Sequence, residues 1–221
     1  MKLSKEDREK ISAAVAEAES KTSGEIGTAI IAESYDYAIY ELFFSVIVGF
    51  VYFLVLLFFH SSLENWLSSK FWDYNNVYLT AFYGFSTFLV ITITYLFSNI
   101  PAIDRLICSK KVMQRKVHER ALRHFVESGI YNTVHRTGIL IFISVLEQRV
   151  ELLADSGINE LIPQEKWNDI VQKIVDGIKA KTATENLVEA IKICGDLLAE
   201  NFPIQADDEN ELSNEIEVLE R

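Results

Sequence analysis

The polar residues best suited to chemistry flank an apolar run in the second half of the chain. Ser144, Glu147 and Arg149 lie at the end of residues 138–145 (GILIFISV) or shortly after it, and this run predicts a central strand covered on both faces. Open α/β sheets bind ligands where strands emerge, and Arg149 could hold a phosphate or carboxylate as a bidentate donor. The alternative is a turn in which Glu147 and Arg149 pair with each other or with neighbouring helices.

Carboxylates beside the predicted strands form a second candidate site, for a divalent cation. Glu25 opens a strand that Glu33 and Asp36 follow, and Asp155 closes another. If the strands before Glu33 and Glu147 run parallel, Glu33, Asp36 and Glu147 would converge, and Ca²⁺ or Mg²⁺ takes several such oxygen ligands. An acidic chain also brings carboxylates together by chance, so purely structural roles are the alternative.

Several function classes lack their usual signals. The sequence has no GxGxxG, GxxxxGK[ST], GxSxG, HExxH or DxDx[TV] motif, so the signatures of dinucleotide binding, nucleoside triphosphate binding and serine hydrolysis are absent. Two cysteines exclude a disulfide framework and a four-cysteine zinc site. A net charge of −11 argues against nucleic acid as a partner, because phosphate binding needs clustered Lys and Arg.

Two uncharged stretches, residues 42–59 and 77–97, predict a transmembrane hairpin spanning residues 42–97. An 18-residue helix is about 27 Å long, enough to cross a hydrocarbon core of roughly 30 Å. The alternative is a buried core helix, which at this length usually shows a polar stripe. Neither stretch contains an ionisable residue, which argues against an ion or proton pathway through the membrane.

The distribution of basic residues predicts the orientation of this hairpin. Five Lys or Arg residues follow Phe97 within 20 residues, whereas the loop between the spans contains only Lys70. By the positive-inside rule, both termini and the α/β domain are cytoplasmic. The loop also contains Trp66, Trp72 and Tyr74, residue types that anchor at membrane interfaces.

The remaining segments predict one α/β domain split by the hairpin. Residues 1–36 supply a helix with a capping box at Ser4 and Asp7, then a strand over 25–32. Residues 102–203 supply a long helix to Ser128, strands over 138–145 and 149–155, and two helices, the last capped by Thr182 and Glu185. We expect the two apolar strands to pair in parallel, with Ile30 near Ile141. The acidic tail, residues 204–221, predicts disorder or a frayed helix.

Parts of the sequence resemble a known family. The stretches SGEIGTAII (residues 23–31), RTGILIFISVLEQRVELLADSGI (136–158) and LLAENFP (197–203), with Trp167, resemble the TPM domain. In particular they resemble the bacterial integral-membrane branch, in which the spans follow the first strand. The resemblance implies a small Rossmann-like three-layer α/β/α fold, a bacterial cytoplasmic (inner) membrane location, and an association with acid phosphatase activity, divalent cations and membrane-complex maintenance.

These observations leave several functions open. The first is a non-enzymatic membrane adaptor, with a lipid bilayer and a membrane protein as its partners. The second is a phosphatase-like enzyme that uses Ca²⁺ or Mg²⁺, with ligand candidates Glu147, Arg149, Asp155, Glu25 and Asp36. A transporter component is the third, and the uncharged spans disfavour it. We favour the adaptor. A phosphatase needs a nucleophile or a metal-held water, and the sequence has no DxDx[TV] nucleophile motif and no evident replacement for it.

Overall fold

The computed structural model describes residues 3–180, 182–205, 208 and 210–220, which fall into two compact units. An α/β unit combines Met1–Tyr35 with Lys111–Arg221, and a hairpin unit comprises Asp36–Lys110. The helices are α1 (Lys5–Glu19), α2 (Ala38–Phe58), α3 (His60–Lys70), α4 (Asn76–Ser98), α5 (Pro101–Ile107), α6 (Lys110–Glu127), α7 (Ser156–Asn159), α8 (Gln164–Ala180) and α9 (Ala183–Asn201). The strands are β1 (Glu25–Ile31), β2 (Gly138–Ser144), β3 (Arg149–Ala154) and β4 (Glu217–Leu219).

The sheet of the α/β unit joins segments from before and after the hairpin. Its strand order is β3-β2-β1-β4. The predicted parallel pairing of β1 with β2 is confirmed, with Glu25 opposite Gly138 and Ile31 opposite Ser144. The predicted register was wrong by two residues, because Ile30 lies opposite Ile143 rather than Ile141. Strand β3 pairs antiparallel with β2.

Helices cover both faces of this sheet, so the predicted three-layer α/β/α fold is confirmed. On one face, Ile26 and Ile30 of β1 and the odd-numbered isoleucines of β2 pack in one cluster with α1, α8 and α9. On the other face, Leu140 and Phe142 pack against α6. Alternation along each strand therefore supplies two cores, which is why β1 and β2 are apolar throughout.

The acidic tail differs from its prediction. Residues Glu217–Leu219 form β4, which extends the sheet in parallel beside Ala29, Ile30 and Ile31 of β1. Ile216 is buried, and Leu212 and Leu219 pack against the α6 core. Disorder or frayed helix is therefore wrong for this part of the tail. Charge dominates the composition of the tail, but a few apolar side chains are enough for it to dock on an unpaired strand edge.

One predicted helix is divided in two, and one predicted helix cap lacks its hydrogen bond. The capping box of Ser4 and Asp7 is present, whereas the Thr182 side chain forms no capping bond and instead donates to Asn186 Oδ1. The long helix predicted from residue 102 is divided by extended backbone at Cys108 into α5 and α6. Gly129, with φ of 79°, follows α6 in the left-handed conformation that favours glycine.

In the hairpin unit, α2 packs along α4, and a Cβ at Gly49 would lie 2.2 Å from Ile91. Among the described residues, α2 and α4 are two helices long and apolar enough to cross a membrane by length and composition. Only 17% and 6% of their most apolar windows are buried, unlike the core helix of a soluble protein. Helix α2 begins before the predicted span and includes Glu41, whose side chain is buried in its first turn.

Candidate functional site

The first candidate site lies where β1 and β2 end, next to the hairpin loop that connects β2 to β3. The loop begins as Val145 N donates to Ile31 O (3.1 Å) and Leu146 N donates to Ala32 O (2.9 Å). Gln148 adopts φ of 50°, the left-handed geometry that a tight connection between β2 and β3 requires. The backbone therefore holds the loop against the end of β1 and fixes the position of Glu147.

Glu147 is buried, and protein groups occupy both of its carboxylate oxygens. Ser34 N donates to Oε1 (3.1 Å), and the Ser144 hydroxyl donates to Oε2 in a short hydrogen bond. Ser34 Oγ donates in turn to Ser144 Oγ (2.7 Å). These three residues form a closed network that joins the segment after β1 to the β2–β3 loop, as buried polar groups require.

Of the other residues predicted near this end of the strands, Arg149 and Glu33 belong to the α/β unit and Asp36 belongs to the hairpin unit. Arg149 lies directly opposite Ser144 at the start of β3 and is half-buried. Asp36 belongs to the hairpin unit, where its Oδ1 accepts a hydrogen bond from Ala38 N (3.0 Å). Glu33 is buried at the end of β1.

Glu25 and Asp155 lie at the opposite end of the strands, where β1 begins and β3 ends, on either side of Gly138. Glu25 pairs with Gly138 across the parallel ladder, and Asp155 N donates to Gly138 O (2.9 Å). Both side chains are buried. Glu25 Oε1 accepts from Glu211 N (3.2 Å), and Asp155 Oδ1 accepts from Ser156 N at the start of α7. Among the residues that the structure describes, the second oxygen of each carboxylate has no hydrogen-bond partner.

Further carboxylates surround Glu25. Burial raises the pKa of Glu19 to about 8, although its Oε1 accepts a hydrogen bond from Ile26 N (2.9 Å). Burial also raises the pKa of Glu25, and the charges of Glu211 and Asp208 raise it further. The carboxyl groups of Glu19 and Glu25 therefore stay protonated to a higher pH than exposed carboxyl groups do.

Comparison with known proteins agrees with this architecture. Residues 105–196 match the family model of the TPM domain. This segment of the chain is thus similar to a TPM domain. Its fold is similar to the NMR structure of BA42 protein from the psychrophilic bacterium Bizionia argentinensis sp. nov., with a TM-score of 0.59, 19% identity, and coverage of 99% of this chain and 97% of that one. No curated protein matches the sequence.

The structure therefore divides the predicted site residues between the two ends of the strands and the hairpin unit. In the described ranges, no three His, Cys, Asp or Glu side chains form a group that could hold a metal ion. The two unpartnered oxygens of Glu25 and Asp155 are fewer than the six to eight ligands that Ca²⁺ takes. Ca²⁺ or Mg²⁺ binding thus stays a prediction, with further ligands needed from main chain or water.

Sequence reasoning missed the carboxylates that gather around Glu25. Glu19 is the last residue of an amphipathic helix, a position where a solvent-exposed side chain is expected. Asp208 and Glu211 lie in the tail, which was expected to be disordered. The only available signal was the short connection of five residues between α1 and β1, which keeps Glu19 near Glu25. The tail residues gave no local signal, because their neighbours are distant in sequence.

Proposed function

We propose that this TPM-domain protein is a non-enzymatic adaptor held at a membrane by its two apolar helices. The observation that carries the proposal is the interruption of an α/β domain by a helix pair whose apolar side chains face outward. Such exposed apolar surface suits a lipid environment. The closed Ser34–Ser144–Glu147 network supports a structural role for the polar strand ends, since both Glu147 oxygens are already used.

The orientation follows from the charges that flank the helices. The basic residues after α4, namely Arg105, Lys110, Lys111, Arg115 and Lys116, favour the cytoplasmic side for the α/β domain and both termini. Helix α3, which has an exposed Trp66, would then lie at the opposite interface. We place the protein in the bacterial cytoplasmic membrane as a two-span member of the integral-membrane TPM branch, with another membrane protein as its partner.

A divalent-cation-dependent, phosphatase-like enzyme is the second candidate. It is favoured by the unpartnered oxygens of Glu25 and Asp155, which are buried carboxylate groups at one sheet edge. Unpartnered buried carboxylates are costly unless a proton or a cation joins them. A bound cation could activate water for attack on a phosphate ester. Arg149, a phosphate-binding candidate, lies at the other end of β3.

Purification of the full chain in mild detergent separates these functions. We expect a stoichiometric partner protein, and no phosphate release from p-nitrophenyl phosphate with millimolar Mg²⁺ or Ca²⁺. The adaptor proposal would be wrong if the protein purified alone with a stoichiometric divalent ion and released phosphate. Glu25→Gln and Asp155→Asn should abolish that release if the second candidate is correct, whereas the exposed Glu160→Gln serves as the matched control.

A further inference from the structure

Strand β1 pairs with β2 along one side, and the chain's own tail pairs with it along the other side, which is called the β1 edge below. Residues 210–220 run in parallel along this edge, from Glu211, whose N–H donates to Glu25 Oε1 (3.2 Å), to Leu219 opposite Ile31. Backbone pairing covers only Ala29, Ile30 and Ile31. A strand edge presents unpaired N–H and C=O groups to any extended segment, and the tail is the segment that uses them here.

Three apolar side chains and several polar contacts hold the tail in place. Ile216 is 5% exposed, and Leu212 and Leu219 pack against the α6 core. Val218 is 51% exposed, and Glu217 approaches the buried His124 at 3.6 Å. The tail carboxylates of Asp208 and Glu211 also lie close enough to Glu25 to raise its pKa. Hydrogen bonds from the main-chain N–H groups of Glu211 and Leu212 lower that pKa, and the Glu211 carboxylate accepts from Val134 N (3.1 Å). Apolar burial and these hydrogen bonds thus favour docking, while carboxylate repulsion opposes it.

The tail does not fill the place where it docks. A cleft of about 460 Å³ remains between α1 and the tail, and its lining includes Lys5, Arg8, Glu9, Glu215 and Ile216. An isoleucine therefore occupies a space that could hold a larger side chain. Lys5 is paired with Glu9 (3.7 Å), so Arg8 is the basic residue of this lining that suits an acidic residue at the position of Glu215.

We propose that the β1 edge is a docking site for an extended segment of a partner protein, which replaces the tail by adding a parallel strand. The segment has a large apolar side chain at the position of Ile216, preceded by an acidic residue that shares the cleft with Arg8. Strand addition gives affinity through main-chain bonds and specificity through such side-chain pockets. This inference rests on the proposed adaptor role and names the surface that would perform it.

The tail acts as a tethered competitor, so weakening it should open the edge. Ile216→Asp in the full, detergent-solubilised chain places a charge in a buried apolar position and should release the tail. Val218→Asp is the matched control, because Val218 is half exposed. The probe is a fluorescent peptide with the sequence of residues 210–220, used in its native form and with the Ile216→Phe or Glu215→Lys change.

We expect the Ile216→Asp protein to bind the native peptide at least tenfold more tightly than the wild type or Val218→Asp protein, because a tethered tail competes at about millimolar effective concentration. The Ile216→Phe peptide should bind more tightly than the native peptide, and the Glu215→Lys peptide more weakly. Equal binding by all three proteins would overturn the proposal. So would loss of cooperative melting in Ile216→Asp, since the tail would then be an indispensable part of the core.

Two further outcomes separate this inference from its alternatives. A wild-type dimer that Ile216→Asp abolishes would mean that a second copy's tail fills the edge, which overturns docking of a separate partner. Failure of peptide binding alongside a stoichiometric co-purified partner would remove this docking edge while leaving the adaptor role intact.

Discussion

At the scale of single residues, Glu147 is a candidate ligand-binding residue whose contacts in the structure indicate a role in stabilising the fold. Its carboxylate connects the segment after β1 to the β2–β3 loop through Ser34 and Ser144. A buried carboxylate whose two oxygens accept hydrogen bonds stabilises the fold only while both donors remain paired. The same side chain in an open site would instead present an oxygen to a ligand.

We expect Glu147→Gln to lower the free energy of unfolding by about 1–3 kcal/mol, because an amide nitrogen replaces one acceptor of a buried network. The loss should be the same with and without millimolar Ca²⁺ or Mg²⁺, measured by thermal melting in detergent. Glu160→Gln, an exposed change, should have an effect within about 0.5 kcal/mol. An ion-dependent shift in the wild type that Glu147→Gln removes would instead support a cation site.

Glu19 predicts an unusual dependence of stability on pH. Its pKa rises from 4.5 to about 8 on folding, so between these values the folded state binds more protons than the unfolded state. The free energy of unfolding should therefore fall as pH rises through this window, with a slope of up to about 1.4 kcal/mol per unit. Below pH 4.5 the contribution is fully present, because both states are protonated.

Glu19→Gln removes this titration and keeps an acceptor for Ile26 N. Between pH 5 and 8, we expect the variant to lose about 1–3 kcal/mol less stability than the wild type in urea unfolding. Glu25, whose pKa is also raised by burial, contributes a remaining decline in the same direction. The exposed Glu17→Gln should behave like the wild type. Parallel pH profiles for Glu19→Gln and the wild type would contradict the prediction.

At the scale of elements, β1 is the strand on which the sheet depends. It lies between β2 and β4 and contributes to both cores, yet it is separated from them in sequence by the whole hairpin unit. Helix α1 adds Ile11, Val15 and Ala18 to one core. Without the first 35 residues, the β2–β3 pair would lose its parallel neighbour and expose apolar surface on both faces.

We expect residues 111–221 alone to lack a cooperative unfolding transition in urea. A chain in which a Gly/Ser linker of about 20 residues replaces residues 36–110 should instead unfold cooperatively, because it retains the whole α/β unit. Circular dichroism and tryptophan fluorescence of the buried Trp167 would report both transitions. Cooperative unfolding of residues 111–221 alone would show that β1 is dispensable.

At the scale of the whole molecule, the proposed topology rests on charge asymmetry around two apolar helices. Reporter fusions after Arg221 should behave as cytoplasmic, and fusions at Ser69 in the loop between the helices as external. Replacing Lys110, Lys111, Arg115 and Lys116 with Gln should weaken this preference and give mixed reporter signals. Replacing the exposed Lys5 and Lys10 should leave it unchanged, since these residues lie far from the spans in sequence. An external C-terminal reporter in the wild type would refute the orientation.

The sequence alone was sufficient for features that depend on local or periodic patterns. Uninterrupted apolar character over residues 138–145 predicted a strand with two covered faces, and Ser4 with Asp7 predicted a helix start that the structure contains. Parallel pairing of β1 and β2 could also be predicted, because a lone upstream strand needs a partner and β2 was apolar enough to be central. The family resemblance noted on residues 136–158 lies within residues 105–196, the segment that matches the TPM domain model.

Only the tertiary structure decided what depends on contacts between distant residues. The acidic tail forms β4 because Ile216 and Leu219 find apolar partners and β1 has a free edge, and neither condition can be read from the tail itself. The carboxylates of Glu19 and Glu25 have raised pKa values because the fold buries them. Composition determines how many charges a chain carries, whereas their solvation and partners depend on packing between segments far apart in sequence.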